Sequence, residues 1–194
     1  MFVGLFGGTF DPIHNGHIEA ANSAHQTLKL DKVIMVPAGD PYLKRTKLVA
    51  SPKERYRMVS LAVRKIPSLE VSDIEIFRPG PSYTIDTVRE LKREGHEVIV
   101  LLGTDSIIEM DEWQDPDLLH SECEVVGLIR PGFQIDKSKS YLSRQRKYSL
   151  RTIEVNSPEI SSTRVRNLIQ DGVDVADLIP QEVNEYIKEQ KLYH

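Results

Sequence analysis

The chain is poor in the residues that give many proteins their chemistry, with one cysteine, Cys123, and one tryptophan, Trp113, in 194 residues. A single cysteine excludes an internal disulfide and a cysteine-based zinc cluster, and it fits a reducing, cytoplasmic setting. Cys123 stands in Glu122-Cys123-Glu124, where acidic neighbours disfavour a thiolate, so it is expected at a strand edge and not in catalysis. No apolar run approaches the roughly 20 residues that a membrane span needs. The longest, Val98 to Leu102, has the length of a strand. The segment Met1 to Phe6 carries neither a basic leader nor a cleavage site, and no export signal is expected. A net charge of −4 leaves no basic excess for a general nucleic-acid surface. The basic residues between Lys137 and Arg151 are expected to be a solvated face. Positive charge for an anionic substrate has to be local.

What is present is an alternation of strand-length apolar runs with amphipathic stretches, the pattern of a parallel sheet with helical crossovers. The expected class is α/β, a Rossmann-like doubly wound parallel sheet with C-terminal helices about 161–194 on one domain spanning 1–194. Strands are predicted over Phe2 to Phe6, Lys32 to Val36, Leu69 to Phe77, Glu97 to Leu102, Glu124 to Ile129 and Arg151 to Val155. Helices are predicted from Gly16 to Leu28, from Ser51-Pro52-Lys53-Glu54 onward, from the turn after Arg78-Pro79-Gly80-Pro81 to about Glu94, after Ser161-Ser162-Thr163, and from Pro180 to Lys191. Ser51 with Pro52 and Glu54 makes a capping box with proline at the first helical position. A homo-oligomer is left open.

In such sheets ligands bind beyond the carboxyl ends of the strands. The unusual residues cluster in those loops. Gly7-Gly8-Thr9-Phe10 follows the first strand and offers backbone amides to phosphate oxygens without side chains in the way. Neither a P-loop nor a G-x-G-x-x-G dinucleotide fingerprint occurs. His14 and His17, three apart at a helix start, can place two imidazoles beside unpaired amides. A helix N-terminus already favours anions, and two added donors suit a polyphosphate whose charge grows during reaction. His25, His96, His120 and His194 are read as ordinary surface or core histidines.

The segment GGTFDPIHNGH resembles the GTFDPxHxGH signature of nucleotidyltransferases, and ISSTRVR, about 145 residues later, resembles their ISSTxIR motif. GPSYTIDTV from Gly80 to Val88, Gly103-Thr104-Asp105, Trp113 and Arg130-Pro131-Gly132 look like the bacterial nicotinate mononucleotide adenylyltransferases. That resemblance implies adenylyl transfer from ATP to nicotinate mononucleotide, with Mg²⁺ carried on the phosphates, no protein metal ligands, and small molecules as partners. It implies an ATP site at Gly7, Gly8, Thr9, Phe10, His14, His17, Ser161, Ser162, Thr163 and Arg166. His14 and His17 would be the catalytic pair. Ser82, Tyr83 and Thr84 would receive the nicotinate carboxylate and Trp113 would stack on its ring. Lys44 and Arg130 would clamp the mononucleotide phosphate, and Gly103 and Asp105 would face its ribose. Where the family often shows Pro-His-Lys this chain has Tyr42-Leu43-Lys44, so any contact of the missing histidine is lost. Val165 replaces the motif's isoleucine on an expected buried helix face.

Overall fold

A computed structural model describes residues 1–43, 48–130 and 150–194. Its strands are β1 (Phe2–Gly8), β2 (Lys32–Pro37), β3 (Leu69–Val71), β4 (Glu97–Gly103), β5 (Glu124–Ile129) and β6 (Arg151–Glu154). The helices among the described residues are α1 (Asn15–Leu28), α2 (Pro52–Val63), α3 (Thr84–Arg93), α4 (Thr104–Glu109), α5 (Pro116–Glu122), α6 (Ser162–Gln170) and α7 (Gln181–Gln190). The six strands pair in the order β3-β2-β1-β4-β5-β6, and every pairing is parallel. This is the doubly wound α/β architecture expected from the alternating pattern. The order reverses between β1 and β4, where Leu5 lies opposite Val100, and that switch point fixes where a ligand can enter.

Side chains alternate across each strand, so the sheet feeds two cores. Val3 and Leu5 pack on one face with Val88, Leu91 and Val100, while Phe6 packs on the other with Ala21, Met58 and Val165. Val165 is fully buried, as the helical stripe through the ISST segment requires. No described helix is long and apolar enough to cross a membrane.

Ser51 caps α2 as expected: its Oγ accepts from Glu54 N–H at 3.4 Å, and its own N–H donates to Glu54 Oε2 at 2.7 Å. The third strand is shorter than its apolar run suggested. After Val71 the chain leaves the sheet edge, Ile74 N–H turns onto Ser72 Oγ, Ile76 N–H donates to Asp73, and Phe77 ends 70% exposed. Between β4 and β5 lie α4 and α5, which the pattern did not reveal because elements of six and seven residues show no clear period. Met110 is completely buried although the stretch it opens, Met110 to Asp115, is polar. Cys123 lies at the end of α5 just before β5, and burial more than the neighbouring acid pushes its thiol up to about 11.

Candidate active site

The carboxyl ends of β1 and β4 meet at the switch point and open a cavity of about 170 Å³. Gly7, Gly8, Thr9 and Phe10 line one wall; Gly16 and His17 of α1, Gly103 and Thr104 after β4, and Arg130 after β5 complete it. Phe10 makes the turn possible by adopting a left-handed backbone, φ 49°, with its ring buried. That ring stands edge-on to His17, with centroids 5.0 Å apart.

His14 is the N-cap of α1 and His17 lies in its first turn, so their rings stack, 3.6 Å between centroids and 19° between planes. The two are not equivalent. His17 reaches the cavity, whereas His14 is 2% exposed and sits behind it. His17 Nδ1 accepts the His14 backbone N–H at 3.3 Å, which leaves the His17 proton on Nε2. Burial first, then the charges of His14 and Arg130, holds His17 well below the ordinary histidine range. His14 is pushed down to about 3, by burial first and the Arg130 charge second, and its buried Nδ1 has no hydrogen-bond partner. Both rings are therefore neutral at pH 7. Gly16 is tightly packed: a Cβ would lie 3.1 Å from His14 Nδ1 and from the Pro158 carbonyl, so its close approach is to protein as well as to the cavity.

The ISSTRVR segment arrives behind the same turn. Ser161 Oγ caps α6 by accepting Arg164 N–H at 3.2 Å, and Ser162 Oγ donates to the Pro12 carbonyl at 2.9 Å. Arg166 donates to the Asp11 carbonyl at 2.6 Å and to Thr163 Oγ1 at 3.3 Å. Asp11 itself is 1% exposed, and its carboxylate accepts Val49 N–H at 2.9 Å, Ala50 N–H at 3.1 Å and the Tyr193 hydroxyl at 2.7 Å. Burial and the adjacent carboxylate raise the Tyr193 pKa far above its ordinary value, so the hydroxyl keeps its proton and donates.

A second cavity, of about 120 Å³, lies on the other side of the Gly7-Gly8-Thr9 turn. Ser82 and Thr84 at the start of α3, Trp113, Glu109, Leu43 and Glu75 line it, and Ser106 belongs to both cavities. Tyr42 ties two of these walls together. Its hydroxyl accepts Gln114 N–H at 3.0 Å, and its ring stands edge-on to Tyr83 at 5.1 Å. Glu75 is buried, accepts Thr87 Oγ1 at 2.6 Å, and has its pKa raised by burial.

Most of the residues singled out from sequence gather at these two cavities. Gly103 and Arg130, expected beside the second substrate, line the first cavity with His17. Ser161, Ser162, Thr163 and Arg166 are drawn to the back of the turn. Lys44 lies outside the described residues, as does the side chain of Asp105, and so does most of the basic stretch up to Lys147. Sequence reasoning missed Ser106, Glu75 and Arg55. Arg55 had a signal: it occupies the apolar stripe of α2 with Met58, Val59, Ala62 and Val63, where a charge is out of place. Ser106 and Glu75 had none, because they become neighbours only when β4 and the β3–α3 connection converge.

Residues 5–168 match the Cytidylyltransferase-like family. A Moorella thermoacetica protein described as a probable nicotinate-nucleotide adenylyltransferase is 42% identical over 197 residues, covering 98% of this chain and 91% of its own. A Thermoanaerobacter protein of the same description is 39% identical, over 98% and 93% of the two chains. The solved Plasmodium falciparum nicotinic acid mononucleotide adenylyltransferase, complexed with NaAD, shares the fold with a TM-score of 0.75 at 20% identity, over 98% of this chain and 96% of its own. The chain therefore belongs to the cytidylyltransferase-like family, and within it to the nicotinate-nucleotide adenylyltransferase group.

Proposed function

We propose that this protein transfers the adenylyl group of ATP to nicotinate mononucleotide, giving nicotinate adenine dinucleotide and pyrophosphate in the biosynthesis of NAD. The observation that carries this reading is the pair of cavities sharing one wall, Gly7, Gly8, Thr9 and Ser106. A group bound against that wall in one cavity borders the other. The relatives' names and the sequence motifs supply the identity of the two substrates.

A 5′-phosphate oxygen of the mononucleotide attacks the α-phosphorus of ATP, the bond to the β-phosphate bridging oxygen breaks, and pyrophosphate departs. A phosphate monoester has its second pKa near 6, so the nucleophile is already largely dianionic and needs no general base. The protein's work is to hold two mutually repelling anions in line and to stabilise charge on the transferring and leaving groups. His17 presents Nε2–H as a neutral donor, the glycine turn lines the same cavity, and Arg130 supplies positive charge there. His14 orients His17 by stacking against it. Thr163 and Arg166 approach the triphosphate from behind the turn, and Arg166 remains tied to Asp11.

Ser82 and Thr84 line the second cavity on either side of Tyr83, the N-cap of α3, and a helix N-terminus favours a carboxylate. Trp113 offers its ring to the pyridine. Glu75 would repel an acid acceptor when ionised; burial raises its pKa, while the hydrogen bond donated by Thr87 favours the carboxylate and works against that rise. Among the described residues no group of three or more His, Cys, Asp or Glu side chains could hold a metal. Mg²⁺ has no protein cage there, and the reading gives it the place that magnesium commonly takes, on substrate phosphates. A cytoplasmic setting and one domain over the whole chain belong to the same reading.

The test is pyrophosphate release with ATP and Mg²⁺ and, side by side, nicotinate mononucleotide, nicotinamide mononucleotide and phosphopantetheine. The acid mononucleotide is expected to have the highest kcat/KM. A higher value for either competitor overturns the acceptor assignment.

A further inference from the structure

Arg55 is fully buried, yet it takes no part in the chemistry above. A guanidinium without exposure is costly unless its donors are satisfied, and here all three donating nitrogens end on backbone carbonyls. Nη1 donates to Thr9 at 2.8 Å, Nη2 to Gly39 at 3.3 Å and Nε to Ala50 at 3.3 Å. Thr9 belongs to the turn between the two cavities. Gly39 and Ala50 lie near the two ends of the connection from β2 to α2, so one side chain pins that turn to both ends of a neighbouring loop.

The contacts continue on each side. Gly39 N–H donates to Ser82 Oγ at 2.9 Å, and a Cβ on Gly39 would come within 2.0 Å of the Glu75 carbonyl, so the second cavity's wall is packed directly against Gly39. Asp11, two residues beyond Thr9, takes the Val49 and Ala50 amides and the Tyr193 hydroxyl. Tyr193 is 3% exposed and reaches the turn from the far end of the fold, beyond α7.

We propose that Arg55, Asp11 and Tyr193 form a buried clamp that holds the phosphate turn and the acceptor-side loop in one register, with Arg55 and Tyr193 as positioning residues for the transfer. The inference rests on the two-cavity reading of the reaction. Its consequence is that a change far from both substrates disturbs their alignment, since a displacement of about 1 Å can cost on the order of 100-fold in rate.

The test uses Arg55→Lys, which keeps the charge but loses the planar fork, and Tyr193→Phe, which keeps the ring and removes one hydroxyl. Wild type and variants are compared at 25 °C, well below their melting temperatures, for kcat and for both KM values, with ATP titrated separately in the absence of acceptor. Arg55→Lys is expected to lower kcat/KM for the mononucleotide by roughly ten- to 100-fold. Tyr193→Phe is expected to lower it by about threefold to tenfold, with KM rising for both substrates. The double variant should lose less than the product of the two, because both act through the Asp11 and Ala50 contacts. Lower melting temperatures with unchanged kinetic constants would make these residues merely structural and overturn the clamp. Strictly multiplicative losses would overturn the shared unit. If Arg55→Lys does not fold, Tyr193→Phe decides by its kinetic constants. Wild type that releases no pyrophosphate with the mononucleotide refutes the reaction instead, and weaker binding of ATP alone by Tyr193→Phe then still reads the clamp.

Discussion

The two cavities differ in how much of each comes from one stretch of chain. The one containing His17 takes its glycine turn and histidine from a single stretch of eleven residues, Gly7 to His17, folded as strand end, turn and helix start. The one containing Trp113 shares Gly7 to Thr9 and is otherwise assembled from separated segments, among them those around Leu43, Glu75, Ser82 and Glu109. A local site is preorganised by its own backbone, whereas an assembled site depends on whatever keeps its segments in register.

The largest expected effect separates the two sides at the chemical step. Replacing His17 with alanine removes one donor to the transferring charge and should cost about 2.7–4 kcal/mol in kcat, with a smaller loss of ATP affinity. Steady-state pyrophosphate release measures it, and an unchanged kcat breaks the assignment of His17 to the donor side. Next comes the acceptor side. Trp113→Ala should raise KM for the mononucleotide by about tenfold, the scale of losing one stacked ring, and leave KM for ATP near its wild-type value. Equal damage to both constants would show that the two cavities are not energetically separate.

The two sides also differ in how they respond to pH. His14 is depressed from 6.5 to about 3, so between those values the unfolded chain binds a proton that the folded chain refuses. Stability contributed by His14 is then complete above about pH 6.5 and falls toward pH 3, by at most about 1.4 kcal/mol per pH unit. His17 shifts the same way. Glu75 has the opposite sign: its folded pKa is raised, so the folded state takes up its proton first and gains stability as pH falls. Melting temperatures from pH 4 to 8 should fall less steeply on acidification in His14→Gln than in wild type, and more steeply in Glu75→Gln. A slope unaffected by both variants would mean that neither group carries the linkage.

The contrast between the cavities also explains what could be read from the chain. Gly7 to Phe10 and His14 to His17 were legible because their chemistry is local: a glycine turn and a histidine pair at helical spacing remain neighbours in any fold that keeps the strand and helix. Ser51-Pro52-Lys53-Glu54 was legible for the same reason. The extra length given to β3 came from apolar residues, Ile74 and Ile76, which are only partly buried and lie in a turn. That Arg130 lines the cavity of His17 depends on where β5 lies in the sheet, which no local pattern encodes.

The order of apolar and polar residues thus determined the parallel α/β sheet, its helices longer than two turns, and a phosphate-handling turn at the first helix start. Only the tertiary structure decided that His14 is buried behind His17, that one wall serves two cavities, and that Arg55 joins them. Helix, strand and cap preferences act over a few residues, while burial of an imidazole or a guanidinium depends on packing across the sheet, and no short-range pattern encodes that packing.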